Sequence, residues 1–393
     1  MKIVSLTAEN YRNIEKQKIE FSDGVNLIIG KNAQGKTNVI EAIYTFARGK
    51  SFRGVADKKL IKFGCDYYFI EAVYEDKRRI QSLSYRYSEK GKVKKKNGIE
   101  EEKASDMLGN FRAVLFCPEH LMIVKGAPAE RREFLNVGIA QNDIIYLKDY
   151  TLYGKILENR NALIKNAQKT SHFNENEIKV FSNQIAEWAA KIYIKRKEYI
   201  NRLDKYVNEV MKDISSGKES ASLLYLSDIE ADTYEEAREK YRGVFSGSIR
   251  KEIAFGTTMF GPHRDDMEIL INKISARTYA SQGQQRSLSL ALKIAEGEVS
   301  KEINGEYPVF LFDDVLSELD SDRQRYIMSN TGGKQIIISA CEQNIYGYCE
   351  ETMKSTKEDN SEKEHAINEN NIFGIEKINV IEVDGGRYVS SYR

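Results

Sequence analysis

Cysteine, proline and tryptophan are scarce in these 393 residues, at four, four and one, and there are only four histidines. Cys65, Cys117, Cys341 and Cys349 show no CxxC pairing and no histidine-rich surroundings, which argues against a zinc site and against a disulfide framework. Apolar runs such as Val309–Phe312 and Ile336–Ile338 are far too short to span a bilayer. Met1 to Glu20 is studded with Lys, Arg and Glu and has no apolar core of a signal segment. The expectation is a soluble cytoplasmic protein with no membrane partner. Charge of one sign is also missing. Sixty Lys and Arg balance 59 Asp and Glu, so any nucleic-acid contact must come from a local patch. What remains is ordinary globular material, 41% hydrophobic and 30% charged.

The first 130 residues read mostly as strands, at Ile3–Ala8, Val25–Ile29, Tyr67–Tyr74 and Ile80–Tyr87, with a turn at Lys90–Lys92. One helix interrupts them, carrying Val39, Ile40, Ile43 and Phe46 from Lys36. From Pro128 the chain turns helical. Ile178, Phe181, Ile185, Trp188 and Ile192 recur at spacings of three and four, a stripe that fits helix packing better than a ligand site. After about Gly256 an α/β pattern returns. It comprises a helix near Gln284–Glu302, a buried strand at Pro308–Phe312, a helix after Leu319, a strand at Gln335–Ser339, and two last strands near Lys377–Val383 and Arg387–Ser391. Lys354–Asn371 is polar enough to predict a mobile loop. These boundaries predict an α/β fold in three stretches: a head at 1–127, an inserted helical lobe at 128–256, and the rest of the head at 257–393.

Gly30-Lys31-Asn32-Ala33-Gln34-Gly35-Lys36-Thr37 is a full G-x-x-x-x-G-K-[ST] match, with the required strand before it and helix after it. Such a loop turns successive N–H groups toward phosphate oxygens, and the helix adds its positive end. Lys36 would reach the β- and γ-phosphates of ATP, and Thr37 would ligate Mg²⁺. Val309–Phe312 then delivers Asp313 and Asp314 to the same site. Asp313 would hold Mg²⁺ directly or through water, and Asp314 would orient or deprotonate the attacking water, with Glu318 or Asp320 as alternatives. Ser281-Gln-Gly283-Gln284 opens an apolar helix shortly upstream of that strand. Alone it is an ordinary serine cap. In order with the other two motifs it resembles the ABC signature, and Ser317-Glu-Leu-Asp320 resembles the D-loop of that class. That resemblance implies an ABC-type P-loop ATPase head, in which Ser281, Gly283 and Gln284 would contact a γ-phosphate held by a second subunit. A transporter subunit fits poorly, because the stretch from Lys36 to Ser281 is far longer than those ATPases usually carry. A P-loop kinase has no need of the signature.

Further segments make the resemblance specific. Leu6–Asn13, Asn38–Ile43, Ser51-Phe-Arg53, Phe116–Leu121, Lys125–Pro128, Arg131–Leu135 and Gly261-Pro-His263-Arg264-Asp265-Asp266 are similar to the RecF family, on the SMC side of the ABC ATPases. The similarity runs from Met1 to about Ala340 and resumes at Val380–Tyr388. It implies an ATP-dependent homodimer that clamps DNA at gaps or single-strand/duplex junctions. It further implies a weak, DNA-stimulated ATPase that works with RecR, RecO and RecA in repair, replication and SOS induction.

Some positions depart from the ABC pattern. Ala33 stands where glycine is usual, which forbids little unless the position needs a positive φ. Asp314 stands where most such heads carry Glu, which predicts slow hydrolysis. Ser339 or Ala340 occupies a place where many carry His, and no Q-loop glutamine can be assigned. Two lysine groups are candidate DNA contacts: Lys92, Lys94, Lys95 and Lys96 on the hairpin, and Lys191, Lys195 and Lys205, with Arg196, Lys197 and Arg202, on the helical arm. Either group is equally compatible with a solvated face. His263 and Arg264 are either satisfied interior residues or contacts to nucleotide or a partner head.

Overall fold

The computed structural model describes residues 1–103, 106–170, 175–341 and 378–392. The predicted polar loop at Lys354–Asn371 lies outside them. The described chain divides into two units: Met1–His120 with Leu292–Arg393, and Leu121–Ala291.

The first unit opens with strands β1 (Lys2–Tyr11), β2 (Ile14–Glu20) and β3 (Val25–Ile29), then helix α1 (Lys36–Arg48). Strands β4 (Tyr67–Glu75), β5 (Ile80–Ser88), β6 (Gly91–Lys96), β7 (Ile99–Glu100) and β8 (Ala113–Phe116) follow. β2-β1-β4-β5-β6-β7 form an antiparallel sheet whose strands alternate buried and exposed positions, as in β4 from Tyr67 to Glu75.

The second unit is mainly helical: α2 (Met122–Lys125), α3 (Pro128–Asn142), α4 (Ile144–Lys169) and α5 (Glu175–Ile214), with proline at the start of α3 as its fixed φ favours. After β9 (Ala221–Leu226) come α6 (Tyr234–Gly247), α7 (Ile249–Phe255), β10 (Asp266–Ile271), β11 (Ile274–Ser275) and α8 (Ala276–Tyr279). β9 pairs antiparallel with β10 from Ala221–Ile271 to Leu226–Asp266. That ladder ties residues 257–291 to the helical unit, which is therefore wider than the 128–256 expected from periodicity.

Arg160 is completely buried in this unit and its guanidinium is saturated by Glu252, Thr258, Ser182 and the Phe245 carbonyl at 2.6–3.2 Å. The stripe on α5 is partly as expected. Ile178, Ile185 and Ile192 are buried, but Phe181 and Trp188 are only half-buried, and Ala186, Ala189, Tyr193 and Arg196 take the interior instead.

The chain returns through α9 (Gln282–Asn304) to β12 (Val309–Asp313), α10 (Ser321–Ser329), β13 (Ile336–Ala340), β14 (Asn379–Asp384) and β15 (Arg387–Tyr392). The second large sheet of the first unit has the order β15-β14-β3-β13-β12-β8, parallel except for the β14–β15 hairpin. β3, β8, β12 and β13 are buried along their whole length, the continuous apolar run expected of parallel strands covered on both faces. The core gathers Ile40, Ile43 and Phe46 of α1 with Leu311, Ile337 and Ile381 on one side and Leu6, Ile70 and Tyr85 on the other.

Candidate functional site

The loop between β3 and α1 is bent by three residues with positive φ: Gly30 at 158°, Ala33 at 66° and Gly35 at 116°. Gly30 is extended, and a Cβ there would meet the Val383 carbonyl at 2.4 Å. Gly35 lies in the region that favours glycine, and a Cβ on it would meet the Asn13 amide at 2.7 Å. Ala33 is the exception. Its position does need a left-handed backbone, so alanine carries a strain of about 1–2 kcal/mol that glycine would not.

Other segments hold the loop in place. Asn13 donates to the Gln34 carbonyl at 2.7 Å and accepts from the Asn38 amide at 2.8 Å. The C-terminal hairpin adds the Gly385 N–H to Gln34 Oε1 at 2.6 Å and the Tyr388 hydroxyl to the Gly35 carbonyl at 3.1 Å. Beneath them Arg12 grips the fully buried Glu41 with two bonds of 2.8 Å, and Ser51 donates to the same carboxylate at 2.5 Å. Three segments that carried the resemblance thus form one brace behind the loop.

Lys36 is 7% exposed, and its ammonium donates to the carbonyls of Gly30 at 2.6 Å and Lys31 at 3.0 Å. Two further contacts close the loop's mouth: Cys341 Sγ lies 3.7 Å from the Lys36 ammonium, and its thiol donates to Asn32 Oδ1 at 2.8 Å.

Asp313 ends β12 almost fully buried, accepting from Ser339 Oγ at 2.8 Å, with the Thr37 hydroxyl nearby. Burial raises the carboxyl's pKa, and those two donors oppose the rise. Asp314 is exposed, with a left-handed φ of 53°, and its N–H donates to the same Ser339 Oγ at 3.0 Å. Ser339 Oγ therefore links both acids, a bond pattern that residue spacing alone did not show.

This site fits a nucleotide and Mg²⁺. Lys36 and the bent backbone offer donors to phosphate, while the Thr37 hydroxyl lies near Asp313. Among the described residues no cluster of three or more His, Cys, Asp or Glu could hold a metal. A cation here would take one carboxylate and one hydroxyl from the chain and complete its shell from phosphate and water, as Mg²⁺ does. Downstream, Ser317 donates to the Asp314 carbonyl at 3.2 Å. Asp320 caps α10 by accepting the Arg323 N–H at 3.0 Å.

Within the second unit, Ser281 and Gln284 form a reciprocal cap on α9. The Ser281 hydroxyl accepts the Gln284 N–H at 3.2 Å, and the Gln284 side chain accepts the Ser281 N–H at 2.8 Å. Gln284 also donates to Glu219 at 2.8 Å, and Gly283 follows Ser281 on the exposed first turn.

His263 is half-buried and both its ring nitrogens are satisfied within the second unit. Its Nε2 lies 3.2 Å from the Thr258 carbonyl, so that nitrogen carries the proton and Nδ1 accepts from Tyr153 at 2.6 Å. Burial lowers its pKa to about 4. Arg264 reaches the same Thr258 carbonyl at 3.5 Å. Asp265 is pushed up to about 6 by burial. Asp266 and the Asp265 carbonyl anchor Arg131 and Arg132, which joins two further segments of the resemblance.

Several of the candidate basic residues are engaged. Arg196 is wholly buried against Tyr146, Asn136 and the Pro262 carbonyl, so it belongs to no surface patch. Lys197 bonds to Asp232 and the Ala231 carbonyl. Lys92 bonds to Asp57 and the Gly49 carbonyl, Lys94 to the Glu102 carbonyl and Lys96 to Asn110, while Lys95 is exposed. Lys191 lies over Trp188 and pairs with Glu187, Lys195 pairs with Asp143, and Lys205 lies over its neighbour Tyr206.

The sequence profile of the AAA ATPase domain family matches residues 1–379. The DNA replication and repair protein RecF of an Exiguobacterium species is 41% identical over 363 residues, covering 91% of this chain and 96% of the relative. That of Macrococcus caseolyticus is 39% identical, covering 84% and 89%. Among solved structures, the recombination mediator protein RecF-ATP in the RecFOR pathway aligns with a TM-score of 0.84 at 32% identity, over 99% of this chain and 97% of that one. An SMC head bound to the C-winged helix domain of ScpA aligns at 0.54 and 14%, over 100% and 98%, a likeness of fold alone. No described helix is long and apolar enough to cross a membrane. On the matched P-loop, the mixed sheet that carries it and these relatives, the chain belongs to the RecF family of ABC-type ATPases.

Proposed function

We propose that this chain is an ATP-driven switch of DNA repair, in which binding of ATP and Mg²⁺ closes two copies into a dimer that holds DNA. The observation that carries this reading is the shared hydroxyl of Ser339, which bonds Asp313 and the Asp314 backbone beside Lys36 and Thr37. Two acids at one strand tip are thereby given two roles. Asp313, buried and close to Thr37, suits the cation. Asp314, exposed and held in an unusual backbone conformation, suits the attacking water.

Bound Mg²⁺ would neutralise phosphate charge as it develops. The rest falls to the chain. Lys36 exchanges two backbone carbonyls for phosphate oxygens, and the inward N–H groups of Gly30–Thr37 orient the nucleotide. Asp314 aligns water and accepts its proton. Aspartate is one methylene shorter than glutamate, so it stands further from the water, and hydrolysis is slow enough to serve as a timer. In the closed dimer, Ser281, Gly283 and Gln284 of one copy face the γ-phosphate held by the other, and Ser317 and Asp320 line the joint.

DNA is held by local patches, with Lys191, Lys195 and Lys205 ahead of Lys95. Lys92, Lys94 and Lys96 are occupied within the chain, and Lys191 and Lys195 must likewise leave Glu187 and Asp143 to meet phosphate. Membership of the family supports partnership with RecR and, through it, RecO and RecA at gaps and junctions.

Single-turnover ATP hydrolysis beside dimer lifetime tests the assignment of the acids. Asp314→Asn keeps the shape and the cation site, so it should bind ATP, dimerise and stay closed much longer than the parent. Asp313→Asn should weaken Mg²⁺-dependent binding and give no such long-lived dimer. Hydrolysis at the parental rate by Asp314→Asn would remove Asp314 from the water-positioning role.

A further inference from the structure

A cleft of about 640 Å³ lies within the first unit, at the opposite edge from the P-loop. Lys2 pairs with Glu75 at one end of β1, whereas Asn13, just past the other end, touches the P-loop. The ten residues of β1 separate these ends by roughly 30 Å at strand rise. Arg112 and Glu306, both lining the cleft, precede β8 and β12, whose far ends lead toward Asp313. The cleft is thus a separate place from the ATP site.

Five cations line the cleft against two carboxylates. Both carboxylates are already committed. Asp76 accepts the N–H groups of Arg78 and Arg79 at 2.8 and 3.0 Å, and Glu306 accepts Arg112 at 2.7 Å and the Lys77 N–H at 2.9 Å.

The cations are not all matched. The exposed guanidinium groups of Arg78 and Arg79 make no hydrogen bond or ion pair among the described residues. Arg112 is 8% exposed; one of its terminal nitrogens donates to Glu306, and its Nε, itself shielded from solvent, has no hydrogen-bond partner among the described residues. A buried donor left unpaired is destabilising, and burial correspondingly lowers the Arg112 pKa. Ile303 is the one aliphatic side chain at the cleft among the described residues, so an apolar ligand would find little to bury.

We propose that this cleft is a second anion site, taking a small phosphate-bearing ligand of nucleotide size or less between Arg112 at its floor and Arg78 and Arg79 at its rim. A phosphate group offers several acceptor oxygens at tetrahedral angles, which matches forked guanidinium donors arriving from different directions. The volume suits a mononucleotide or pyrophosphate. A duplex backbone would meet the rim arginines but is too wide to enter the cleft and reach Arg112 at its floor.

The test is equilibrium dialysis with labelled pyrophosphate, using full-length protein carrying Lys36→Ala to empty the P-loop of phosphate affinity. One binding event per chain should remain. Arg78→Gln with Arg79→Gln, both exposed and therefore harmless to folding, should weaken it by about ten-fold or more, since each loses a charge-assisted hydrogen bond. With Lys36 intact, the same pair should leave ATP affinity unchanged. Arg112→Gln should weaken binding further, with its fold checked by circular dichroism.

No pyrophosphate retained by the Lys36→Ala protein overturns the site. So does retention that the Arg78 and Arg79 substitutions leave unaltered. A short DNA duplex that binds through Arg78 and Arg79 while pyrophosphate fails to displace it would identify a nucleic-acid backbone as the occupant, and would equally refute a small ligand.

Discussion

Removing one hydroxyl, in Ser339→Ala, should separate nucleotide binding from hydrolysis. Ser339 Oγ donates to Asp313 at 2.8 Å and accepts the Asp314 N–H at 3.0 Å. Asp314 has φ 53°, a conformation that costs a residue with a Cβ about 1–2 kcal/mol. One hydrogen bond contributes about 1 kcal/mol net. The bond and the strain are of similar size, so without the hydroxyl Asp314 is free to leave its left-handed conformation, and the carboxylate moves with the backbone. A displacement of about 1 Å at a group that positions water costs on the order of 10²-fold in rate. Asp313 loses one of two donors, which raises its pKa further in the direction burial already drives it. Lys36 and the loop are untouched. The expected result is single-turnover hydrolysis slowed by about 10- to 100-fold with ATP affinity changed by less than about three-fold. Ser339→Thr, which keeps the hydroxyl, should restore much of the rate. A parental rate in Ser339→Ala would refute the reasoning. An equal loss of ATP affinity would show collapse of the whole loop rather than misplacement of one acid.

Two other outcomes are expected. Ala33→Gly should raise thermal stability by up to about 1 kcal/mol, because glycine removes the left-handed strain and gives back part of the gain in the unfolded chain; a lower melting temperature would contradict the strain. The Gly261–Asp266 segment should show opposing pH dependences of about 3 kcal/mol each. Asp265, raised to about 6, contributes stability that is complete below its unfolded value near 4 and is lost as pH rises through 6. His263, lowered to about 4, contributes stability that is complete above about 6.5 and is lost as pH falls through 4. Asp265→Asn should therefore leave a melting temperature that rises between pH 4 and 6.5, and His263→Asn one that falls; slopes of the same sign in both variants would disprove the assignment.

Much of this was legible in the chain because local chemistry dictates it. A buried parallel strand must be an unbroken apolar run, so Val25–Ile29 and Val309–Asp313 declare themselves, and glycines at 30 and 35 mark the bend between strand and helix. What escaped was set by distant partners. β9 and β10 are far apart in sequence, and pairing with each other, with β11 added beside β10, makes them strands. Arg196 looked like one more cation on a basic helix, yet Tyr146, Asn136 and the Pro262 carbonyl draw it into the interior. His263 has the chemistry of a site residue, but Tyr153, far away in sequence, satisfies one of its nitrogens while the nearby Thr258 carbonyl satisfies the other. The φ of Ala33 and the two hydrogen bonds of the Ser339 hydroxyl are likewise properties of the folded site.

The central claim is that ATP, and not ADP, joins two copies through Ser281. Sedimentation velocity of the full chain, with no nucleotide, with ADP and with a slowly hydrolysed ATP analogue, measures this directly. The parent should move from monomer to dimer only with the analogue. Ser281→Arg should bind the analogue as tightly as the parent and remain a monomer. A Ser281→Arg protein that dimerises normally with the analogue, or a parent that dimerises equally with ADP, would contradict the account.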